Sequence, residues 1–412
     1  MKKNCLIAQS GGPTSVINAS VYGLVREAQK ADSIDRVMGA KNGIKGVLDD
    51  HIFDFANEED CEIEKLRTSP ASALGSCRYK LNHYEETDCD YNKIFEVFEA
   101  LDIGYFFYVG GNDSMDTVDQ LSKYAKEINS NIRILGIPKT IDNDLPETDH
   151  CPGFGSAAKY IATSTIEAFY DGEIYDKNIV TIIETMGRNA GWLAASAALA
   201  SEDYDNCPDL IYLPEAVFDF DKFKSDVKAK LEKRGKVVIV ASEGIKNSDG
   251  DYISAVGNGI GGHDQFGHVQ LGGVGEILKE FVQTNIEKRV KVIKFDVLQR
   301  AAAHCTSKTD IEEAENAGRA GVKFALEGYS GKMVAYKCSR EPEYKCEMNL
   351  VDVSKVANKE KMIPTHWINE EGNFVTDECI EYMRPLICGE NDIPHKNGLP
   401  QYAKLKMDKL DM

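Results

Sequence analysis

Short apolar runs that end in glycine-rich turns and then lead into stretches of helical period recur along this chain, and no other feature narrows its fold as much. Cys5–Ala8 reads as a first strand and Ser10-Gly11-Gly12-Pro13-Thr14 as a turn, after which Val16, Ile17, Val21, Leu24, Val25 and Ala28 follow helical spacing. Tyr105–Val109 passes through Gly110-Gly111-Asn112-Asp113-Ser114 into a helix over Met115–Ile128, and a third strand, Ile132–Ile137, stops at Pro138. The pattern then repeats: a helix over Ser156–Phe169, a strand over Ile179–Glu184, a helix over Ala190–Ala200, and a strand over Val237–Ala241 that stops at Ser242-Glu243-Gly244. Val292–Leu298 reads as a strand leading to Gln299-Arg300, Asp310–Leu326 as a helix, and Val334–Tyr336 with Met348–Val353 as a late hairpin. Strands that alternate with helices predict an α/β fold with mostly parallel sheets, here two doubly wound lobes facing one cleft.

The length of 412 residues suits two or three domains with sizeable cores. With 42% hydrophobic and 28% charged residues, the composition excludes collagen-like and largely disordered chains. Forty-eight Lys and Arg against 67 Asp and Glu leave a net charge of −19, which repels nucleic acid and anionic lipid. An anionic small substrate therefore requires a local basic pocket. The apolar run at the N-terminus is too short for a signal peptide, and no stretch approaches the ~20 apolar residues of a membrane span. Eleven cysteines without a C-x-x-C spacing predict reduced thiols in the cytoplasm. The glycine-dense stretch from Asp249 to Gly275 imitates a dinucleotide fingerprint without the strand that should precede it, so it reads as a mobile loop. His263 and His268 within it are five residues apart, off a common helix face, which argues against a metal pair.

Chemistry concentrates just past the strand ends. At Gly11-Gly12 and Gly110-Gly111 the missing side chains let backbone N–H groups approach an anion, helped by the following helix dipole. Either pair alone would equally serve an ordinary βα turn. Pro138-Lys139-Thr140-Ile141-Asp142-Asn143-Asp144 is the most informative stretch, because an ammonium, a hydroxyl, an amide and two carboxylates crowd behind a buried strand. Burying so many polar groups is costly unless they pair with one another or with a ligand. A surface turn with a capping Asp is the plainer alternative.

With these motifs in hand, the sequence closely resembles the phosphofructokinase family. Its signatures stand in order as Gly11-Gly12-Pro13, Gly110 to Ser114, Pro138 to Asp144, Met186-Gly187-Arg188, Ser242-Glu243-Gly244 and Leu298-Gln299-Arg300. The resemblance implies that family's fold, two Rossmann-like lobes, with residues 1–145 as the phosphoryl-donor lobe completed by part of 300–412. It also implies a fructose 6-phosphate lobe over 146–299 and a C-terminal extension over 330–412. The implied reaction is transfer of a phosphoryl group to the 1-hydroxyl of fructose 6-phosphate. Asp142 would accept the hydroxyl proton while Thr140 and Asp144 steady it. Arg188 and Arg300 would grip the 6-phosphate as guanidinium forks, and Glu243 would accept from sugar hydroxyls. Ile141, Met186, Gly187, Val297, Leu298 and Gln299 complete the implied sugar site.

The donor is decided at two positions. ATP-using members carry glycine where this chain has Asp113 and Lys139, and the pattern here resembles the pyrophosphate-dependent branch. A carboxylate at ~4 Å from a nucleotide phosphate would cost about 4 kcal/mol at an effective dielectric of 20. Lys139 would place positive charge beside the transferring group. Gly11, Gly12, Arg78, Gly111 and Ser114 are the implied pyrophosphate contacts. Mg²⁺ is the implied cofactor, with Asn112 standing where the family has its metal-linked aspartate. Arg300 resembles an arginine that a neighbouring subunit contributes, which implies a homo-oligomer, with a homodimer favoured. The competing readings are an ATP-dependent phosphofructokinase and a non-catalytic sugar-phosphate sensor. A sensor would need the arginines but not Asp142 and Lys139, and an enzyme resembling NAD kinase would leave Met186-Gly187-Arg188 and Gln299-Arg300 unexplained.

Overall fold

The computed structural model describes residues 2–258 and 273–411. His263 and His268 fall outside the described residues. The chain begins with β1 (Lys3–Gln9), β2 (Ile34–Ala40), β3 (Ile52–Asp54), β4 (Ile103–Gly110) and β5 (Arg133–Pro138). It then builds β6 (Ile179–Thr185), β7 (Leu210–Tyr212), β8 (Lys236–Ser242) and β9 (Val290–Lys294), and returns as β10 (Lys332–Ser339) and β11 (Lys345–Asp352). The first sheet runs β11-β10-β5-β4-β1-β2-β3 and the second β7-β8-β6-β9. Pairings at the centre of the first sheet and throughout the second are parallel, while β3 and β11 are antiparallel edges.

Helices cover both faces of the first sheet, so its central strands are near-continuous apolar runs. Cys5 to Ala8 and Phe106 to Val109 are all buried. The helix Ile17–Ala28 lies directly on the helix Lys308–Leu326. A Cβ on Gly23 would fall 2.1 Å from the Glu315 carbonyl, and one on Gly318 would fall 2.1 Å from the Ser20 carbonyl. Backbone thus meets backbone where the chain returns from the second lobe. β1 lies between β4 and β2, so its neighbours are reached by crossovers in opposite directions, and a crevice opens at its C-terminal end.

Several boundaries differ from the sequence expectation. The strand foreseen over Val292–Leu298 ends at Lys294, because Phe295 N–H donates to the Glu184 carbonyl and Asp296 turns left-handed with φ +43°. Residues Asp296–Arg300 then form a 3₁₀ turn. Where a helix was foreseen over Ala190–Ala200, a single α-turn, Trp192–Ala195, passes into a 3₁₀ stretch, Ser196–Glu202. Its alanines pack closely against the helix Phe154–Glu173. Inside the glycine-dense segment expected as a loop, Ile253–Asn258 is helical. The late hairpin spans all of β10 and β11, with Tyr336 opposite Met348.

Residues 330–412, expected as a C-terminal extension with part of 300–412 completing the first lobe, are divided between the two lobes. β10 pairs parallel with β5 and so belongs to the first sheet. Ile363, Val375, Cys379, Ile380, Met383 and Leu386 then pack into the second lobe's core. Trp192, Trp367 and Tyr382 form an aromatic group there, with Tyr382 centred 5.3 Å from Trp192 and 5.2 Å from Trp367. Finally the tail returns to the first lobe, where Ala403 N–H donates to Ser69 Oγ and Leu410 N–H to the Ile52 carbonyl.

Candidate active site

The turn after β1 leaves room for cations. Gly11 has φ +78°, and a Cβ there would sit 3.0 Å from Lys139 Nζ; a Cβ on Gly12 would sit 3.4 Å from Arg300 Nη1. Larger residues would displace the two groups that an anion needs. Ser76 Oγ donates to the Gly11 carbonyl at 2.6 Å and fixes the turn, while nearby Arg78 stands exposed at the rim.

After β4, Gly111 precedes the helix Asn112–Glu127, which puts Asp113 and Ser114 in its first turn. Gly110 tolerates no Cβ, which would lie 1.9 Å from Ser114 Oγ. Asn112 Oδ1 is buried and has no hydrogen-bond partner among the described residues. A buried, unpartnered acceptor on a residue that lines the cleft suits a hard cation, so the residues present fit Mg²⁺.

After β5, Lys139 N–H donates to the Gly110 carbonyl at 3.0 Å, which ties the two strand ends together. Thr140 Oγ1 accepts from Asp142 N–H at 3.1 Å and lies 3.5 Å from Asp142 Oδ2. Asn143 adopts φ +54°, turns its side chain away from the cleft, donates to Tyr382 Oη at 2.9 Å and accepts from Cys151 N–H at 3.0 Å. That staple lets Asp142 and Asp144 both face the cleft. Burial lowers the Lys139 amine to about 8 against the support of Asp142 and Asp144. Burial also raises the Asp142 carboxyl, with Lys139 and Arg188 opposing it. Asp144 is pushed up to about 7 by burial and by the charge of Asp142.

The second lobe supplies the opposite wall. Gly187 has φ +130°, and its N–H points at Glu243 Oε1 at 3.4 Å. Burial, then Asp142, pushes Glu243 up to about 7. Gly244 passes so close beneath Arg188 that a Cβ would lie 1.9 Å from the Arg188 carbonyl. Both Arg188 Nε and Arg300 Nε are buried with no hydrogen-bond partner among the described residues. Two desolvated guanidinium donors await an acceptor.

These walls enclose a cleft of about 600 Å³. It brings together Gly11, Gly12, Arg78, Gly111, Asn112, Asp113, Ser114, Lys139, Thr140, Asp142, Asp144, Met186, Gly187, Arg188, Glu243 and Arg300. Ile141 is instead buried in the second lobe's core. Gln299 sits behind the wall, where its Oε1 accepts from Met186 N–H at 3.1 Å and its amide donates to the Asp296 carbonyl. Val297 and Leu298 are 49% and 58% exposed on the outside of the 3₁₀ turn and do not line the cleft. Arg300 enters its own chain's cleft, so it does not by itself demand a neighbouring subunit. Sequence reasoning missed Asn189, Asn358 and Glu360, which also line it; Asn189 Nδ2 donates to Glu360 Oε1 at 2.9 Å. The last two arrive on the segment after β11, where no strand-to-helix turn marks them.

Buried basic groups and carboxylates gathered in a cleft between two doubly wound lobes define a class of α/β protein built to receive anionic small molecules. The family described as phosphofructokinase matches residues 4–324, and the chain belongs to it. It is 42% identical over 406 residues, 98% of this chain and 96% of the relative, to the pyrophosphate–fructose 6-phosphate 1-phosphotransferase of Methylococcus capsulatus. A relative of the same name from Xanthomonas campestris pv. campestris is likewise 42% identical over 98% of this chain and 96% of its own. The crystal structure of a pyrophosphate-dependent phosphofructokinase from Nitrosospira multiformis superposes with a TM-score of 0.89 at 40% identity, covering 100% of this chain and 98% of that one.

Proposed function

We propose that this enzyme transfers a phosphoryl group reversibly from pyrophosphate to the 1-hydroxyl of fructose 6-phosphate, giving fructose 1,6-bisphosphate and phosphate, a step of glycolysis. The observation that carries the reading is the placement of Lys139 Nζ over the Gly11 turn, opposite Asp113 in the first turn of the next helix. A buried ammonium and a carboxylate at those two points would leave less room for a nucleotide than glycines would, which favours the smaller pyrophosphate.

Arg188 and Arg300 would hold the 6-phosphate, which satisfies their orphaned Nε donors and sets the sugar's 1-hydroxyl toward Asp142. The hydroxyl oxygen attacks the terminal phosphorus, the bond to the bridging oxygen breaks, and phosphate leaves. The hydroxyl proton passes to the Asp142 carboxylate, whose raised affinity for protons suits it to hold one. Lys139 donates to the equatorial oxygens as charge spreads over them. Asn112 Oδ1 would hold Mg²⁺, which neutralises diphosphate charge when bound.

The protein acts in the cytoplasm as a homo-oligomer, in keeping with its free cysteines and with exposed Val297 and Leu298. Among the described residues no helix is long and apolar enough to cross a membrane. Parallel assays with fructose 6-phosphate, Mg²⁺ and either pyrophosphate or ATP test the donor. Fructose 1,6-bisphosphate should form from pyrophosphate, and faster turnover with ATP would sink the assignment.

A further inference from the structure

Behind the loop that carries Asp142 and Asp144 lies a second cluster of reactive side chains, none of which lines the cleft. His150 is 1% exposed, and its Nδ1 is 3.1 Å from Asp149 Oδ1 and 3.8 Å from Cys338 Sγ. The three donor atoms all lie within 4.8 Å of one another. Cys346 stands directly opposite Cys338 in the β10–β11 ladder, next to that group though outside its 4.8 Å span. The proposed phosphoryl transfer uses none of these groups.

We infer that Asp149, His150 and Cys338, completed by Cys346, form a binding site for one soft divalent metal ion of the Zn²⁺ class. Tetrahedral Zn²⁺ with bonds of about 2.0–2.3 Å sets its ligand atoms about 3.3–3.8 Å apart. The nitrogen–oxygen and nitrogen–sulfur separations of 3.1 and 3.8 Å already approximate two edges of that figure. The surrounding groups are those a metal site requires. His150 Nε2 is 2.7 Å from Glu313 Oε2, an arrangement in which the carboxylate takes the Nε2 proton's hydrogen bond and leaves the Nδ1 lone pair for a metal. Arg340 grips the Asp149 carboxylate with two hydrogen bonds of 2.8 and 2.9 Å and orients it. Tyr344 Oη donates to Glu313 Oε1 at 2.6 Å and closes the far side.

Two sulfurs and an imidazole select against Mg²⁺, so this site and Asn112 would not compete for one ion. Entry of the ion releases the protons held at Nδ1 and on the thiols. The site joins two separate parts of the chain. Asp149 and His150 follow the loop of Asp142, whereas Cys338 and Cys346 belong to the returning hairpin. Otherwise they are joined by backbone N–H hydrogen bonds, Asp149 N–H to the Tyr336 carbonyl and Tyr336 N–H to Thr148 Oγ1, and by the Arg340–Asp149 ion pair. A metal here would brace the catalytic loop from behind.

The test uses the untagged full-length protein, reduced, stripped with a chelator and then titrated with Co²⁺ in the presence of excess Mg²⁺. One Co²⁺ per chain should bind with a cobalt–thiolate absorption band that Zn²⁺ abolishes. Cys338→Ser and Cys346→Ser should each weaken binding about 10–100-fold, while Cys89→Ser leaves it unchanged. A measurement on the unmutated protein guards against misfolded variants: Zn²⁺ should slow alkylation of Cys338 and Cys346, read by mass spectrometry of their peptides. Absence of the band at saturating Co²⁺, or equal alkylation with and without Zn²⁺, would overturn the inference.

Discussion

Asp142 and Lys139 each hold the other in its working state, because burial penalises both charges and each is the main charge favouring the other's ionised form. Asp142→Asn keeps the shape but removes the proton acceptor, so kcat should fall about 10²–10⁴-fold with KM for fructose 6-phosphate little changed, as steady-state kinetics would register. The pH profile follows from the same pair. Lys139 is protonated below its value of about 8, so kcat/KM should decline as pH rises through that point. Asp142 must be ionised, and its raised carboxyl places the acid limb above the ordinary carboxylate range. Lys139→Met should abolish the limb near 8 and move the acid limb upward, since Asp142 loses its strongest compensating charge. An alkaline limb that persists unchanged in that variant would assign it to another group.

The elements behave as rigid platforms whose ends, rather than whose middles, carry function. Gly244 follows β8 and lies against the Arg188 carbonyl, so Gly244→Ala must push the 186–188 turn out of place. KM for fructose 6-phosphate should rise by about tenfold or more while KM for pyrophosphate stays nearly constant, because a ~1 Å misplacement on one wall leaves the other intact. Equal effects on both substrates would mean that the turn serves the whole cleft. The same division explains what the sequence disclosed. β1, β4, β6 and β8 are largely buried on both faces and read as near-continuous apolar runs. β2 carries exposed Asp35 and Arg36, β7 has only three residues, and the edge strand β9 mixes half-buried Val290, Val292 and Ile293 with half-buried Lys291 and exposed Lys294, so β2 and β7 went unread and β9 was drawn too long. Residues just past strand ends were legible as chemistry because polar groups there stand out against an apolar strand. Asn358 and Glu360 were not, since their place depends on where the chain returns after more than two hundred residues.

At the scale of the molecule, the C-terminal fifth sutures the lobes. The chain contributes β10 and β11 to the first sheet, packs Ile380 and Met383 into the second core, and comes back to the first lobe along residues 403–410. There Glu58 accepts from the backbone N–H groups of Lys406 and Met407 at 2.8 and 2.7 Å, and Glu62 accepts from Lys404 N–H at 2.7 Å. Hydrogen bonds to charged groups contribute about 1.5–3 kcal/mol each, so the tail is a fastening of several such bonds. Because the chain crosses between lobes and back, neither core can open without pulling on the other, and thermal unfolding should proceed as one cooperative transition. Removal of residues 403–412 should lower the melting temperature by several degrees while leaving kcat within about twofold, since none of these residues lines the cleft. Calorimetry of the truncated chain decides the matter. An unshifted transition would mean that the tail only lies on the surface, whereas two resolved transitions would show that it is what couples the lobes.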